Sequence, residues 1–412
     1  MFHTPWNGSL IEHFKIYTLT PSPLSRQPPT IIKMFPSSPD LLPLPFYVSV
    51  LGPTASGKTS LALALAKRIP IEIISVDSAL IYRGMDVGTA KPSEEERQAV
   101  AHHLIDIRDP TETYSAAQFV ADARDLIVQI HGRGRLPVLV GGTMLYFKAL
   151  WEGLDDIPPT APAVRQFWQA QAAQKGWPAL HQTLMEADPL TAQRLSPHDA
   201  QRIGRALEVM HMTGRPLSSF WSQARASSSP HISNNLNNLN NLNNLNNPNN
   251  LNNPNNPNNP EPLSYPLISL EPAVRSILHD RIEARVQAMW AGGLWQEVLK
   301  LYQNKASSGL QGHMPSMRCV GYRQIWAALD RLEDEGTSGD VSASMPPPAL
   351  QNQLHVQITA ATRQLAKRQL TWLRSWPHRR VVACDEVDGE SRGVELILNL
   401  LPSSLHASSS LL

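Results

Sequence analysis

The first chemistry in the sequence lies in eight consecutive residues. Gly52, Pro53, Thr54, Ala55, Ser56, Gly57, Lys58 and Thr59 fit the pattern G-x-x-x-x-G-K-[ST] at each fixed position. The apolar run Phe46–Leu51 before them reads as a buried strand, and the Ala/Leu-rich Ser60–Arg68 after them reads as a helix. That is the setting such a loop requires. The glycines let successive backbone N–H groups converge on an anion. The start of the helix adds the positive end of its dipole. Lys58 supplies a mobile cation for phosphoryl oxygens, and the Thr59 hydroxyl suits a magnesium ion bridging two phosphates. The loop therefore predicts a bound di- or triphosphate without choosing one. A second candidate is Asp77, which ends the apolar run Ile71–Val76. Ligands of open parallel sheets sit at the carboxyl ends of strands, so Asp77 is expected in the same crevice. A carboxylate there suits metal binding or general-base work; an Asp ahead of Ser78, Ala79 and Leu80 also suits a helix cap.

The elements that must position these groups follow from the pattern. Strands are expected at 46–51, Ile71–Val76 and Leu136–Val140, with a helix at Ala116–Ile130 between the last two. Strands alternating with helices imply an α/β fold with a parallel sheet. Ala163–Phe220 is helical in pattern only. Two long helices are expected later, at Ser276–Gln303 and Leu350–Trp376, separated by a Gly/Ser/Pro/Asp-rich stretch at Glu333–Pro348. Residues 234–260 are nine Asn-Asn-X triplets with X either Leu or Pro. A period of three fits neither helix nor strand, and asparagine builds no apolar core. The expected organisation is a disordered Pro-rich leader at 1–44, the first part of a P-loop catalytic core at 45–160, and a helical insertion at 161–225. A low-complexity loop at 226–264, the C-terminal part of the core with its helices at 265–385, and a tail at 386–412 complete it.

Composition removes several classes. The 412 residues carry a formal net charge of +1, which excludes a uniformly basic protein held on nucleic acid by overall charge. The two cysteines, Cys319 and Cys384, exclude a disulfide scaffold and any all-cysteine metal site. No apolar run reaches 18 residues, so no membrane-spanning helix is expected, and a soluble cytoplasmic protein is. Charge is nonetheless segregated locally. In Leu350–Trp376, Leu354, Ile358, Ala361 and Leu365 recur at helical spacing and are expected to face the core, while Arg363, Lys367, Thr371 and Arg374 share another face. Between Gln351 and Cys384 there are six Lys/Arg and no Asp or Glu. A merely solvated face carries mixed signs, so this one points to a polyanion such as RNA.

Longer blocks carry a resemblance. Residues 52–59, 75–92 (SVDSALIYRGMDVGTAKP), 141–146 (GGTMLY), 199–208 (DAQRIGRALE), 318–323 (RCVGYR) and 362–374 (TRQLAKRQLTWLR) resemble the tRNA dimethylallyltransferase family. They occur in that family's order over about 46–385. The resemblance implies a P-loop α/β core with an inserted helical domain. It also implies transfer of a dimethylallyl group from dimethylallyl diphosphate to N6 of adenosine 37, in tRNAs that read codons beginning with U. It assigns Lys58, Asp77 and Thr143 to catalysis, Asp77 as acceptor of the N6 proton, and magnesium to Thr59. It places Thr143 and Arg165 at the tRNA anticodon stem-loop. It also aligns Asp77–Leu80, then Gln201, Arg202, Ile203, Gly204 and Arg205, and then Arg318, Cys319, Val320, Gly321, Tyr322 and Arg323, with tRNA-contacting segments. A monomer is expected from the same source. The Pro-rich leader, the Asn triplets and Glu333–Pro348 depart from the family pattern, and nothing after Arg374 has the Cys and His spacing of the zinc finger in its eukaryotic members. Competing readings are an adenylate dimethylallyltransferase, a P-loop small-molecule kinase and a non-catalytic RNA-binding module.

Overall fold

The computed structural model describes residues 45–153, 157–158, 160–221, 265–335 and 346–402. The expected leader, the Asn triplets and residues 336–345 of the second loop lie outside the described residues. Six strands form one parallel sheet: β1 (Val48–Leu51), β2 (Ile71–Val76), β3 (His102–His103), β4 (Leu136–Gly141), β5 (Leu267–Glu271) and β6 (Arg380–Ala383), in the order β3-β2-β4-β1-β5-β6. The helices in chain order are α1 (Lys58–Ala66), α2 (Glu94–Ala99), α3 (Ala116–Gly132), α4 (Met144–Glu152), α5 (Pro162–Lys175), α6 (Trp177–Ala187), α7 (Pro189–Ala192) and α8 (Ala200–Thr213). After β5 come α9 (Arg275–Ala291), α10 (Leu294–Gln303), α11 (Lys305–Ser308), α12 (Tyr322–Asp334), α13 (Pro348–Arg374) and α14 (Gly389–Leu398). Among the described residues no helix is long and apolar enough to cross a membrane.

The central strands are buried throughout because helices cover both faces of the sheet. Val48, Val50, Ile73, Val138 and Ile268 pack with Leu61 and Leu65 of α1 and Val394 and Ile397 of α14. Leu51, Ile74, Val76 and Leu139 pack on the other face with Phe119, Phe147, Ile282, Trp295, Tyr322 and Leu354. A third core, with Trp168, Leu180, Leu184, Ile203 and Leu207, belongs to the helical stretch α5 to α8.

Several expectations need revision. The helix expected at Ser276–Gln303 is two helices, α9 and α10, because Gly293 takes a left-handed conformation (φ 96°) between them. The short edge strand β3, the strands β5 and β6 and the helix α12 were not anticipated. β3 is two histidines and β6 opens on an exposed arginine, so neither shows a buried-strand pattern. In α13 the buried stripe is Leu354, Ile358, Thr359, Thr362, Ala366, Gln369, Leu370 and Leu373; Ala361 and Leu365 lie at its margin. Polar residues occupy core positions there, which an apolar-period reading cannot see. The expected tail contains α14, whose Arg68–Glu395 ion pair (2.9 Å) and apolar face close over α1. Just before it, Asp385 accepts the backbone N–H groups of Ala273 and Val274 at 2.8 and 2.7 Å, fixing the chain that enters α9.

Register brings three strand ends level. Gly141 of β4 lies opposite Leu51 of β1 on one side and Val76 of β2 on the other. The next strand-end contact is the Thr143 N–H donating to the Val76 carbonyl at 3.1 Å. A Cβ at Gly141 would stand 2.1 Å from that carbonyl oxygen, so only glycine lets the two backbones approach this closely. Gly141→Ala is expected to destabilise the protein by about 1–3 kcal/mol, the usual cost of overpacking. Thermal melting of the variant checks this; an unchanged melting temperature would mean that the strand ends separate without cost.

Candidate active site

The phosphate loop leaves β1 and enters α1 through Gly57, whose left-handed conformation (φ 84°) forms the helix cap. Lys58 Nζ donates to the Pro53 carbonyl at 2.7 Å, folded back across the loop. Burial pushes this ammonium down to about 8, the Arg285 guanidinium acts in the same direction, and Asp77 opposes both. Arg285 comes from α9 and donates to the Thr89 carbonyl at 3.1 Å. Burial lowers its pKa too, with Asp77 as the opposing charge. Lys58, Arg285 and Asp77 thus share one crevice.

Asp77 follows β2. One carboxylate oxygen accepts the Ala79 N–H at 2.9 Å, so the cap-like role and the crevice position coexist. Thr143 follows β4, and its hydroxyl accepts the Ser78 N–H at 3.0 Å and donates to the Ser78 hydroxyl at 3.3 Å. Thr143 and Asp77 are therefore held on adjoining turns. Cys319 reaches the same region. Burial, and then the charge of Asp77, push its thiol up to about 12. Tyr146 is raised by burial, then by Tyr82 and Asp77. At neutral pH this crevice offers two cations, one carboxylate and neutral thiol and phenol groups. Such a set can hold a polyphosphate and accept a proton beside it.

The remaining sequence candidates divide by exposure. Arg202, Arg318, Arg323, Lys367 and Arg374 are exposed. Arg202 pairs with Asp199 at 2.8 Å, and Arg318 donates to the His313 carbonyl at 3.0 Å. Arg165 is exposed but lies 3.6 Å from the buried carboxylate of Glu208. Arg205 bonds the Thr160 hydroxyl and, at 3.0 Å, the Pro158 carbonyl, bracing the chain that enters the helical stretch. Arg363 is half-buried and pairs with Glu283 at 3.3 Å, unlike its neighbours on the basic stripe. Ile203 is fully buried, Gly204 packs 3.3 Å from Trp177 by its Cβ position, and Tyr322 is fully buried with its hydroxyl on Glu297. These three side-chain positions serve packing and present no surface to RNA.

Three residues of the site escaped sequence reasoning. Arg285 had one available signal, its i, i+4 spacing from Arg281 on a helix following a strand. Glu297 accepts the backbone N–H groups of Asp86, Val87 and Gly88 at 2.7, 2.8 and 3.0 Å and so shapes the loop that carries Thr89. Gln369 bonds the phosphate loop from α13. Gln369 lies within the 362–374 block, but the backbone partners that give it and Glu297 their roles lie more than 200 positions away.

The state of Lys58 yields a pH test. Its pKa lies below the ordinary lysine value, and a bound anion favours the charged form. Affinity for inorganic diphosphate is expected to hold below about pH 8 and to fall as pH rises through it. In Lys58→Met affinity is lower and this step is absent. Binding titrations from pH 7 to 9.5 check it, and the same pH profile in both proteins would exclude Lys58 as the titrating group.

Comparison with known proteins places this geometry. A sequence model of the family described as IPP transferase matches residues 80–376. A tRNA dimethylallyltransferase of Paracidovorax citrulli (strain AAC00-1) is 50% identical over 362 residues, covering 87% of this chain and 92% of the relative. One from Methylibium petroleiphilum is 51% identical over 353 residues, covering 85% and 93%. The crystal structure of the full-length tRNA isopentenylpyrophosphate transferase from Bacillus halodurans superposes with a TM-score of 0.52 at 32% identity, covering 89% of this chain and 98% of that one. With half of the aligned residues shared with such relatives over nearly their whole length, and with the phosphate loop, the β2 acid and the β4 threonine meeting at three adjacent strand ends, the chain belongs to the IPP transferase family of tRNA dimethylallyltransferases.

Proposed function

We propose that this chain transfers a dimethylallyl group from dimethylallyl diphosphate to N6 of adenosine 37 in tRNAs that read codons beginning with U. The products are N6-(dimethylallyl)adenosine and diphosphate. The observation that carries this reading is the juxtaposition of Asp77 with two half-buried cations, Lys58 and Arg285. The nucleophile is an amine whose lone pair is delocalised into adenine, and the leaving group is a diphosphate. The reaction needs a cationic cradle and a proton acceptor at one place, and those are the groups the three strand ends carry.

In the proposed reaction the bond between N6 and the allylic carbon forms as the carbon–oxygen bond to diphosphate breaks. The electron pair leaves with the diphosphate, and the N6 proton passes to the Asp77 carboxylate. The loop N–H groups, Lys58 and Arg285 neutralise the departing charge. A magnesium ion fits the hard oxygen donors on hand, the Thr59 hydroxyl and the substrate's own phosphates, and supplies further charge neutralisation when bound. An adenine stacked in the anticodon loop must be splayed out to reach the crevice. Exposed Arg202, Arg318, Arg323, Lys367 and Arg374 are suited to hold the loop phosphates meanwhile. The proposal includes a monomer and a cytoplasmic location.

Labelled dimethylallyl diphosphate offered with tRNA or with AMP tests the assignment. Label in tRNA alone supports it, label in AMP indicates an adenylate dimethylallyltransferase, and label in neither removes prenyl transfer. Asp77→Ala is expected to lower kcat by about 10²–10⁴, the usual contribution of a general base, with little change in affinity for the diphosphate. A collapse of that affinity would make Asp77 a metal ligand instead.

The basic face gives a separate expectation. Lys367 is exposed on α13. A phosphate contact carries no sequence information, so Lys367→Ala is expected to weaken all substrate tRNAs alike. It should also flatten the plot of log affinity against log salt by about 0.7–0.9. Parallel plots for the two proteins would remove the contact.

A further inference from the structure

One side chain joins the two halves of the crevice. Gln369 lies on the buried stripe of α13, 8% exposed, where the helix passes over the strand ends. Its Oε1 accepts the Thr54 N–H of the phosphate loop at 2.8 Å, and its Nε2 donates to the Gly142 carbonyl at 2.9 Å. Thr54 N–H can only donate and the Gly142 carbonyl can only accept, so chemistry fixes which way the amide points. Gly142 precedes Thr143, whose hydroxyl takes the Ser78 N–H next to Asp77. Contacts therefore run without a break from the phosphate loop through Gln369 and Gly142 to the Thr143–Ser78 pair beside Asp77. The fit is close: a Cβ at Gly142 would meet the Gln369 amide nitrogen at 2.4 Å.

We propose that Gln369 is a positioning residue that sets the separation between the phosphate loop and the Thr143–Asp77 turns. This deepens the prenyl-transfer reading and rests on it, since the distance that matters is the one between the diphosphate and the proton acceptor. At pH 8 an amide serves both partners where a carboxylate or a thioether does not. A carboxylate accepts from Thr54 but repels the Gly142 carbonyl, and methionine bonds neither. The Gly142 carbonyl is then left without its donor in both cases, and the Thr54 N–H without its acceptor in the methionine case, so the loop is free to drift. Displacements of about 1 Å at a reacting centre cost on the order of 10²-fold in rate.

The test compares Gln369→Glu and Gln369→Met with wild type in full-length protein, each at pH 8 and pH 6 and each expressed as a ratio to wild type at that pH. At pH 8 both variants are expected to lose kcat by about 10²-fold and to show a raised KM for dimethylallyl diphosphate, with the KM for tRNA unchanged. At pH 6 the introduced carboxyl of Gln369→Glu, once protonated, again offers one donor and one acceptor, so that variant regains most of its rate while Gln369→Met does not. Recovery also shows that the variant is folded. Wild-type parameters in Gln369→Met, or the same loss in both variants at both pH values, would overturn the proposal. If wild type itself places no label in tRNA, the reaction assignment fails instead, so the two failures are distinguishable.

Discussion

The molecule depends on one backbone register. β2, β4 and β1 run parallel as neighbours and finish at the same height, with Gly141 opposite both Val76 and Leu51. Each strand then hands its chain to a different piece of chemistry. β1 leads to the phosphate loop, β2 to Asp77 and β4 to Thr143. A slip of one residue in a strand would turn its side chains to the other face and move its terminal group out of the crevice. The long apolar faces and the helices on both sides serve to hold that register.

The crevice so formed is costly to the fold. Lys58 and Arg285 are both less easily charged than they would be in water, and Arg285 makes Lys58 worse, with Asp77 as the near counter-charge. Burying like charges together opposes folding. An anion placed between them would relieve that opposition, as the proposed reaction requires of its diphosphate. The neutral Cys319 and Tyr146 add no further charge to that balance.

What could be read from the residues alone follows from how local each feature is. The phosphate loop, β2 and its acid, and α1 are contiguous patterns, and each appeared within two residues of its expected place. The parallel sheet followed from strand–helix alternation. β6 was hidden because Arg380 and Val381 are exposed at a sheet edge. The break between α9 and α10 turned on the conformation of a single glycine. Gln369 and Glu297 were invisible for a different reason. Each is an ordinary polar residue on a helix, and its meaning is set by backbone groups 315 and about 210 positions away. The same holds for Arg363, which sequence counts with a basic stripe and the fold pairs with Glu283.

The closure of α14 over α1 has a consequence for how the chain becomes an enzyme as it is made. The phosphate loop leaves the ribosome well ahead of α14. The face of α1 that carries Leu61 and Leu65 is nevertheless covered by Val394 and Ile397, and Arg68 finds Glu395 327 positions later. The start of α9, which brings Arg285, is held by Asp385. β1 and α1 therefore leave the ribosome as a strand and helix with an unfinished apolar surface, and these partners are made only some 327 positions later. Completion of the cradle is tied to the making of α14, so a polypeptide interrupted before it carries the phosphate-loop sequence without the packing that covers α1.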